Sequence, residues 1–331
     1  MKKKVALTGI KPTGTPHIGN YLGAVKPALE LSKDYEARYF IADYHALNSI
    51  KDPKKLNELT YEIAATWLAF GLNPDEVLFY RQSDIPEIFE LTVFLSAFTP
   101  KGLMNRAHAY KAMVALNKEN NKDEDNNINM GLYTYPILMA ADILMFNTNV
   151  VPVGKDQKQH IEIAADIAQA VNNNYKKELL VIPEPLISET MNIIPGLDGR
   201  KMSKSYNNVI SPFLPPKKLR KLVMKIKTNS QTIEEPKNPD DCNVFALYKL
   251  FADNEEQENL RKKYLAGGMG WGEAKQILYE KLEEVFSGYR DEYNKIISDK
   301  GEIDNLLKKG ALKAREISSR NMARLRKEAG L

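Results

Sequence analysis

The chain has 331 residues, 43% of them hydrophobic, enough for one large core and a smaller domain. Its formal charge of +4 is too weak by itself to argue for nucleic acid, and a single cysteine, Cys242, excludes a disulfide framework or a thiolate metal cluster. No apolar run reaches the length of a membrane span, and the Lys-rich start lacks a signal peptide's hydrophobic region, so a cytoplasmic protein is expected.

Residues 5–10 (VALTGI) are an apolar run ended by Lys11-Pro12-Thr13-Gly14, which predicts a strand and then a turn. Beyond Asn20, the residues Tyr21, Ala24, Val25, Ala28 and Leu31 recur at helical spacing, with Pro27 placed to kink or break the helix. Residues 38–43 read as a second buried strand, with His45 just past its end. Residues 56–70 read as a helix closed by Gly71, with Trp67 in the core, and 77–80 as a third strand. Alternating β and α units of this length predict a parallel sheet covered by helices on both faces. Ligands of such sheets sit at the carboxyl ends of the strands, where the turn at 11–20 falls.

Residues 117–129 (NKENNKDEDNNIN) form a polar excursion that cannot bury a core and reads as a mobile surface loop. A helix over 133–145, a strand over 150–153 and a helix over 157–171 follow. From Lys217 onward strand signals nearly vanish, and 219–226, 244–251, 255–265, 273–286 and 302–317 read as helices. The last carries Ile303, Leu306, Leu307, Ala311, Ala314 and Ile317 on one face, so it packs against something. Two basic stretches stand out: Lys217, Lys218, Arg220, Lys221, Lys225 and Lys227, then a tail from Lys308 to Lys327. Each is either a solvated helix face or a surface for a polyanion.

Three constellations carry chemistry. In the first, residues 9–20 (GIKPTGTPHIGN), small residues let backbone approach a nucleotide, and a helix starting near Ile18 offers amides to phosphate. His17 can donate to a phosphoryl oxygen as charge builds there. In the second, Lys201-Met202-Ser203-Lys204-Ser205, two lysines three apart on a Gly- and Ser-flanked loop suit a triphosphate cleaved between its α- and β-phosphates. In the third, Tyr135, Met139 and Asp142 stand at i, i+4 and i+7 and share one helix face. Asp142 among apolar neighbours is costly unless it accepts a hydrogen bond, which an aromatic N–H or O–H would donate. The alternative is an amphipathic core helix with one capped acid. His45 is a further candidate near an aromatic substrate, while His108 and His160 read as packing or surface residues.

The first two motifs resemble the HIGH and KMSKS signatures of class I aminoacyl-tRNA synthetases, with Asn20 in place of the final His. The run Tyr135-Pro136-x-x-Met139-x-x-Asp142, followed by Val151-Pro152-Val153-Gly154-Lys155-Asp156-Gln157, resembles the bacterial tryptophanyl-tRNA synthetases almost end to end. The related tyrosyl enzymes carry Gln where Met139 stands, and Met offers a soft apolar wall to an indole. The resemblance implies that Asp142 accepts the indole N–H, Met139 packs on the ring, Tyr135 and Gln157 orient the amino and carboxylate groups, and His45 lies nearby. It implies an ATP site from Lys11, Pro12, Thr13, Gly19, Asn20, Gly154, Lys155, Asp156, Ile193 and the lysine loop, with His17, Lys201 and Lys204 as catalytic donors. Lys11 stands where many members have Gln, and Leu7 where an aromatic residue sometimes covers the indole. The stretch from Met191 to Gly199 lacks an arginine that some relatives use near ATP.

The expected fold is a doubly wound, Rossmann-like (HUP-type) α/β catalytic domain over 1–212. A helical anticodon-binding domain over 213–290 and a returning C-terminal helix over 291–331 complete it. The expected reaction is ligation of L-tryptophan to tRNA(Trp) through an adenylate, with ATP and Mg²⁺ as substrate and no tightly bound cofactor or protein metal site. A homodimer is implied. Tyrosine specificity, a small nucleotidyltransferase and a synthetase-derived nucleic-acid-binding or regulatory protein are the competing readings.

Overall fold

The structure, a computed structural model, describes residues 3–154, 157–187 and 194–331. Among these residues, five strands form one parallel sheet in the order β3-β2-β1-β4-β5: β1 Val5–Ile10, β2 Glu36–Ile41, β3 Leu78–Arg81, β4 Val150–Val153 and β5 Glu184–Ile187. The winding runs outward from β1 on both sides, so the order reverses between β1 and β4. That switch point opens a crevice at the strands' carboxyl ends.

Period-2 alternation divides the inner strands between two cores. Tyr39 and Phe79 enter a cluster on one face with Ile18, Trp67 and Phe70. Phe40 and Tyr80 enter the other with Leu7, Ala141 and Ile143. The strand read at residues 77–80 lies one residue later, and β2 begins and ends two residues earlier than read. β5 went unread because Pro183 and Pro185 look like loop signals. An edge strand tolerates proline where no ladder hydrogen bond is needed.

The segment after β1 breaks near Pro27 as expected: a three-residue helix Ile18–Asn20 leads into a π-helical turn Tyr21–Val25, and a helix restarts at Lys26–Leu31. Residues 117–129 require a correction. The helix His108–Glu119 includes their first turn, and Asn117 is buried, its amide donating to the Glu124 and Asn126 carbonyls at 2.9 and 2.8 Å. The polar run is therefore wrapped around a buried asparagine, a use of side-chain amides that hydropathy does not register.

The helical half shares a core with the sheet. Phe213 stacks on Tyr293 with centroids 4.0 Å apart, and Phe70 meets both Phe213 and Phe286. The helices Trp271–Ser298 and Lys300–Ala329 meet at Asp299, whose carboxylate accepts the Glu302 N–H. The last helix contributes Ile303 and Leu307 to one core, then Ala314, Met322 and Leu325 to the other. It crosses edge strand β3 between them. A Cβ on Gly310 would lie 1.7 Å from the Phe79 carbonyl oxygen, so no larger residue fits there. The crossing covers an otherwise open sheet edge.

Candidate active site

Two cavities lie at the carboxyl end of the sheet, on either side of the turn after β1. Lys11 lines one and Thr13 the other, so within about 7.6 Å of chain the backbone divides them.

The smaller, about 560 Å³, is polar and built on loops. Thr13, His17, Gly19, Asn20, Lys201, Met202, Ser203, Lys204 and Ser205 line it. The lysine loop is shaped by a bridge between Pro195 and Lys201 and by the buried Asn208. The Asn208 side-chain Oδ1 accepts the Ser203 N–H at 2.8 Å, and its side-chain NH2 donates to Asp198 and the Lys201 carbonyl. The Met202 side chain is buried and anchors the loop, while Lys201 is exposed. Lys204 donates to the Gly14 carbonyl at 2.7 Å, which ties the two motifs together. Burial lowers the Lys204 ammonium from the usual lysine range, against a smaller upward pull from Glu62.

His17 is 8% exposed, its Nδ1 without a protein partner. Burial and then the charge of Lys204 push its pKa down to about 4. At neutral pH the ring is an uncharged donor. Gly19 makes room for it: a Cβ there would sit 2.9 Å from His17 Cε1 and Nδ1. Asn20 has a role of its own, because its Oδ1 accepts the His17 backbone N–H at 3.1 Å. The expectation of free amides at the helix start needs amending, since the Ile18 N–H is taken by the Ile210 carbonyl at 2.9 Å. Pro12 is buried in the turn.

The larger cavity, about 740 Å³, is mostly apolar. Leu7, Phe40, Met139 and Val151 wall it, with Asp142, His45, Tyr135 and Gln157 as polar points and Lys11 at its edge. The three residues on the helix Met130–Met145 do share the cavity face. Asp142 is 1% exposed, and burial raises its pKa while hydrogen bonds from His45 and Gln82 pull it back. His45 Nε2 lies 2.9 Å from Oδ2, and Gln82 Nε2 lies 2.9 Å from both oxygens. His160, read above as packing or surface, is buried against the cavity, and its Nε2 meets the Tyr135 hydroxyl. Gly154 follows the last residue of β4. Lys155, Asp156 and Ile193 lie outside the described residues.

Gln82 was missed by the sequence reading, although it carries the same signal as His45: a polar residue directly past a buried strand at the sheet's carboxyl edge. For His160 the packing reading holds as far as burial goes, and its contact with the Tyr135 hydroxyl is what the sequence does not signal.

A family model described as tRNA synthetases class I (W and Y) matches residues 2–287, and the chain belongs to that family. Among curated relatives, Tryptophan--tRNA ligase of Bordetella parapertussis is 50% identical over 328 residues, covering 98% of this chain and 72% of that one. The ligase of the same name from Neisseria meningitidis is 47% identical over 334 residues, with 100% and 99% covered. The crystal structure of tryptophanyl-tRNA synthetase from Campylobacter jejuni, complexed with ADP and tryptophan, superimposes with a TM-score of 0.91 at 42% identity, covering 99% of this chain and 100% of that chain.

Proposed function

We propose that the chain ligates L-tryptophan to tRNA(Trp) through a tryptophanyl-adenylate, consuming ATP and releasing AMP and diphosphate. The observation that carries this reading is a buried carboxylate inside an apolar cavity, one turn of backbone away from a two-lysine clamp. Asp142 accepts the indole N–H, and Met139, Phe40 and Leu7 pack on the ring. Tyr135, held by His160, and Gln157 orient the amino and carboxylate groups, and Lys11 stands between amino acid and nucleotide. Gly154, with Lys155, Asp156 and Ile193, contributes to the nucleoside site.

No side chain acts as a nucleophile. The substrate carboxylate attacks the α-phosphorus, the bond to the bridging oxygen breaks, and diphosphate leaves. Lys201 and Lys204 face the charge growing on the leaving group, and neutral His17 donates a hydrogen bond to it. Thr13, Gly19, Asn20, Ser203 and Ser205 complete the phosphate contacts. Magnesium arrives as part of the Mg–ATP substrate; among the described residues no group of three His, Cys, Asp or Glu could hold a metal.

The tRNA is assigned to the helical half. Lys217, Lys218, Arg220, Lys221, Lys225 and Lys227 are all exposed around the helix Pro216–Val223. The basic tail is partly used by the fold itself, since Arg315 pairs with Glu87, Arg326 with Glu90, and Arg324 donates to the Leu179 carbonyl. The division at residues 212 and 290 is retained as a division of labour across a shared core. A homodimer is assigned to the face carrying Val93, 74% exposed on the helix Glu87–Ser96, where exposed Tyr44 packs on Phe89 one turn earlier. The reaction places the protein in the cytoplasm, and no described helix is long and apolar enough to cross a membrane.

Tyrosine specificity is not favoured: the similar curated relatives are tryptophan ligases, and Met139 offers no polar partner to a phenol. ATP–diphosphate exchange with each of the twenty amino acids tests the activation step and its specificity. Exchange with tryptophan is expected, and exchange with tyrosine alone overturns it.

A further inference from the structure

We infer that Gln82 is a positioning residue for substrate selection: its side-chain amide sets the rotation of the Asp142 carboxylate and so aims one oxygen at the ring nitrogen of the amino acid. The inference rests on the assignment of Asp142 to the indole N–H.

Gln82 is fully buried and opens the short turn Gln82–Asp84 at the end of β3. An aspartate carboxylate turns easily about its last bond, because that torsion is broad and two-fold. Here one amide nitrogen sits 2.9 Å from both oxygens, which is satisfied only when the carboxylate edge faces Gln82. The amide cannot turn over. Its Oε1 accepts the Tyr44 N–H at 3.2 Å, which Asp43 Oδ1 shares at 3.0 Å, and a reversed amide would set donor against donor there and oxygen against the Asp142 carboxylate. Tyr44 is itself fixed: neighbouring Asp43 accepts the Ser83 N–H at 3.0 Å and pairs with the Ser83 hydroxyl, which latches the helix Asp43–Ala46 to the turn.

The remaining acceptor capacity then has a location. A carboxylate offers about two sites per oxygen. Gln82 occupies one on each, and His45 a second on Oδ2. Oδ1 is left with the open site among the described contacts. Gln82 also supplies a donor that lets a buried acid remain charged, and a charged acceptor makes the stronger bond to an N–H. Glutamate in its place would set two carboxylates within reach of each other. Methionine would fill the space and supply no donor.

The test uses ATP–diphosphate exchange by the full chain with tryptophan and with its isostere in which a ring sulfur replaces the N–H. In Gln82→Met, kcat/KM for tryptophan is expected to fall by about tenfold or more through KM, while that for the sulfur analogue changes little. The ratio of the two therefore contracts. Equal losses for both substrates would mean that Gln82 merely supports the fold, and an unchanged ratio would mean that it aims nothing; either overturns the inference. Gln82→Glu keeps an oxygen for the Tyr44 N–H but replaces the fixed amide by an acid that shares a proton with Asp142 and so takes charge from the acceptor; it must contract the ratio too, and it decides the matter if Gln82→Met does not fold. Asp142→Asn is run alongside. If the ratio contracts there and not in the Gln82 variants, the inference alone fails. If it stays at the wild-type value in Asp142→Asn, the assignment of the acid fails with it.

Discussion

The two cavities on either side of residues 11–14 are built in opposite ways. The phosphate side is made of local pieces: a turn, a three-residue helix and a loop pinned by Asn208, with ligand-facing groups supplied within two short segments. The amino-acid side is made of side chains from rigid elements far apart in the chain. His45, Gln82, Asp142 and His160 meet there from four different elements. The difference follows from what each ligand demands. A polyphosphate is flexible and charged, so cations on a loop can follow it as charge develops. An indole is flat and apolar with one donor, so its recognition needs a fixed wall and a single aimed acceptor.

This contrast predicts where each defect will register. Asp142→Ala removes the proposed acceptor of the indole N–H, and kcat/KM for tryptophan should fall on the order of a thousandfold in ATP–diphosphate exchange. The loss should lie in tryptophan KM, with ATP KM near the wild-type value. A loss confined to kcat would place Asp142 in the chemistry and erase the division between the cavities. Lys204→Ala should do the reverse. Its kcat should drop on the order of a hundred- to a thousandfold, while tryptophan affinity from equilibrium binding stays put. A parallel loss of tryptophan affinity would show that the Lys204 contact with Gly14 supports both cavities.

The same contrast explains what could be read from the chain beforehand. The local cavity was legible because its residues are neighbours in sequence, and the motifs at residues 9–20 and 201–205 survive intact as structure. The helix face of Tyr135, Met139 and Asp142 was legible because helical spacing alone puts them together. What holds Asp142 was not legible. Gln82 lies 60 residues away and His45 lies 97 away, and no local pattern links two positions past strand ends to a third on a helix face. Among the strands, β5 was hidden by its prolines, and the last helix was underestimated because its polar face runs on beyond Ile317 to Ala329. The Gly310 crossing was invisible for the same reason, since its partner is a backbone carbonyl on β3.

His17 sharpens the comparison through pH. Its folded pKa of about 4 lies below the ordinary histidine value near 6.5, so the unfolded chain takes up a proton that the native site refuses. The stabilisation is therefore complete above pH 6.5 and is lost as pH falls from 6.5 toward 4. The loss amounts to roughly 3 kcal/mol at most. Urea unfolding across this range should show a steeper acid loss in the wild type than in His17→Asn. Glu62 and Asp142, whose carboxyls burial raises, titrate in the opposite sense in both proteins and cancel in the difference. Equal slopes would mean that water reaches His17 freely and that its side of the crevice is not desolvated.

The smallest expected effect is also the one that separates activity from stability most directly. Gly19 lies in the helix Ile18–Asn20, and its backbone is of a kind that alanine adopts. Alanine is the better helix former by about 0.8–1.0 kcal/mol, which offsets part of the cost of crowding the ring, so Gly19→Ala should unfold close to the wild-type temperature or slightly below it. The added methyl group, however, would stand 2.9 Å from two atoms of the His17 ring. A buried ring cannot absorb that without turning, and a turned ring would no longer present its N–H to the phosphate in its proposed place. The kcat for exchange should fall about tenfold, roughly 1.4 kcal/mol of transition-state stabilisation, with tryptophan KM unchanged. Unchanged kcat together with unchanged stability would mean that the ring has a second orientation equally able to donate, and that the placement of His17 is looser than the loop around it.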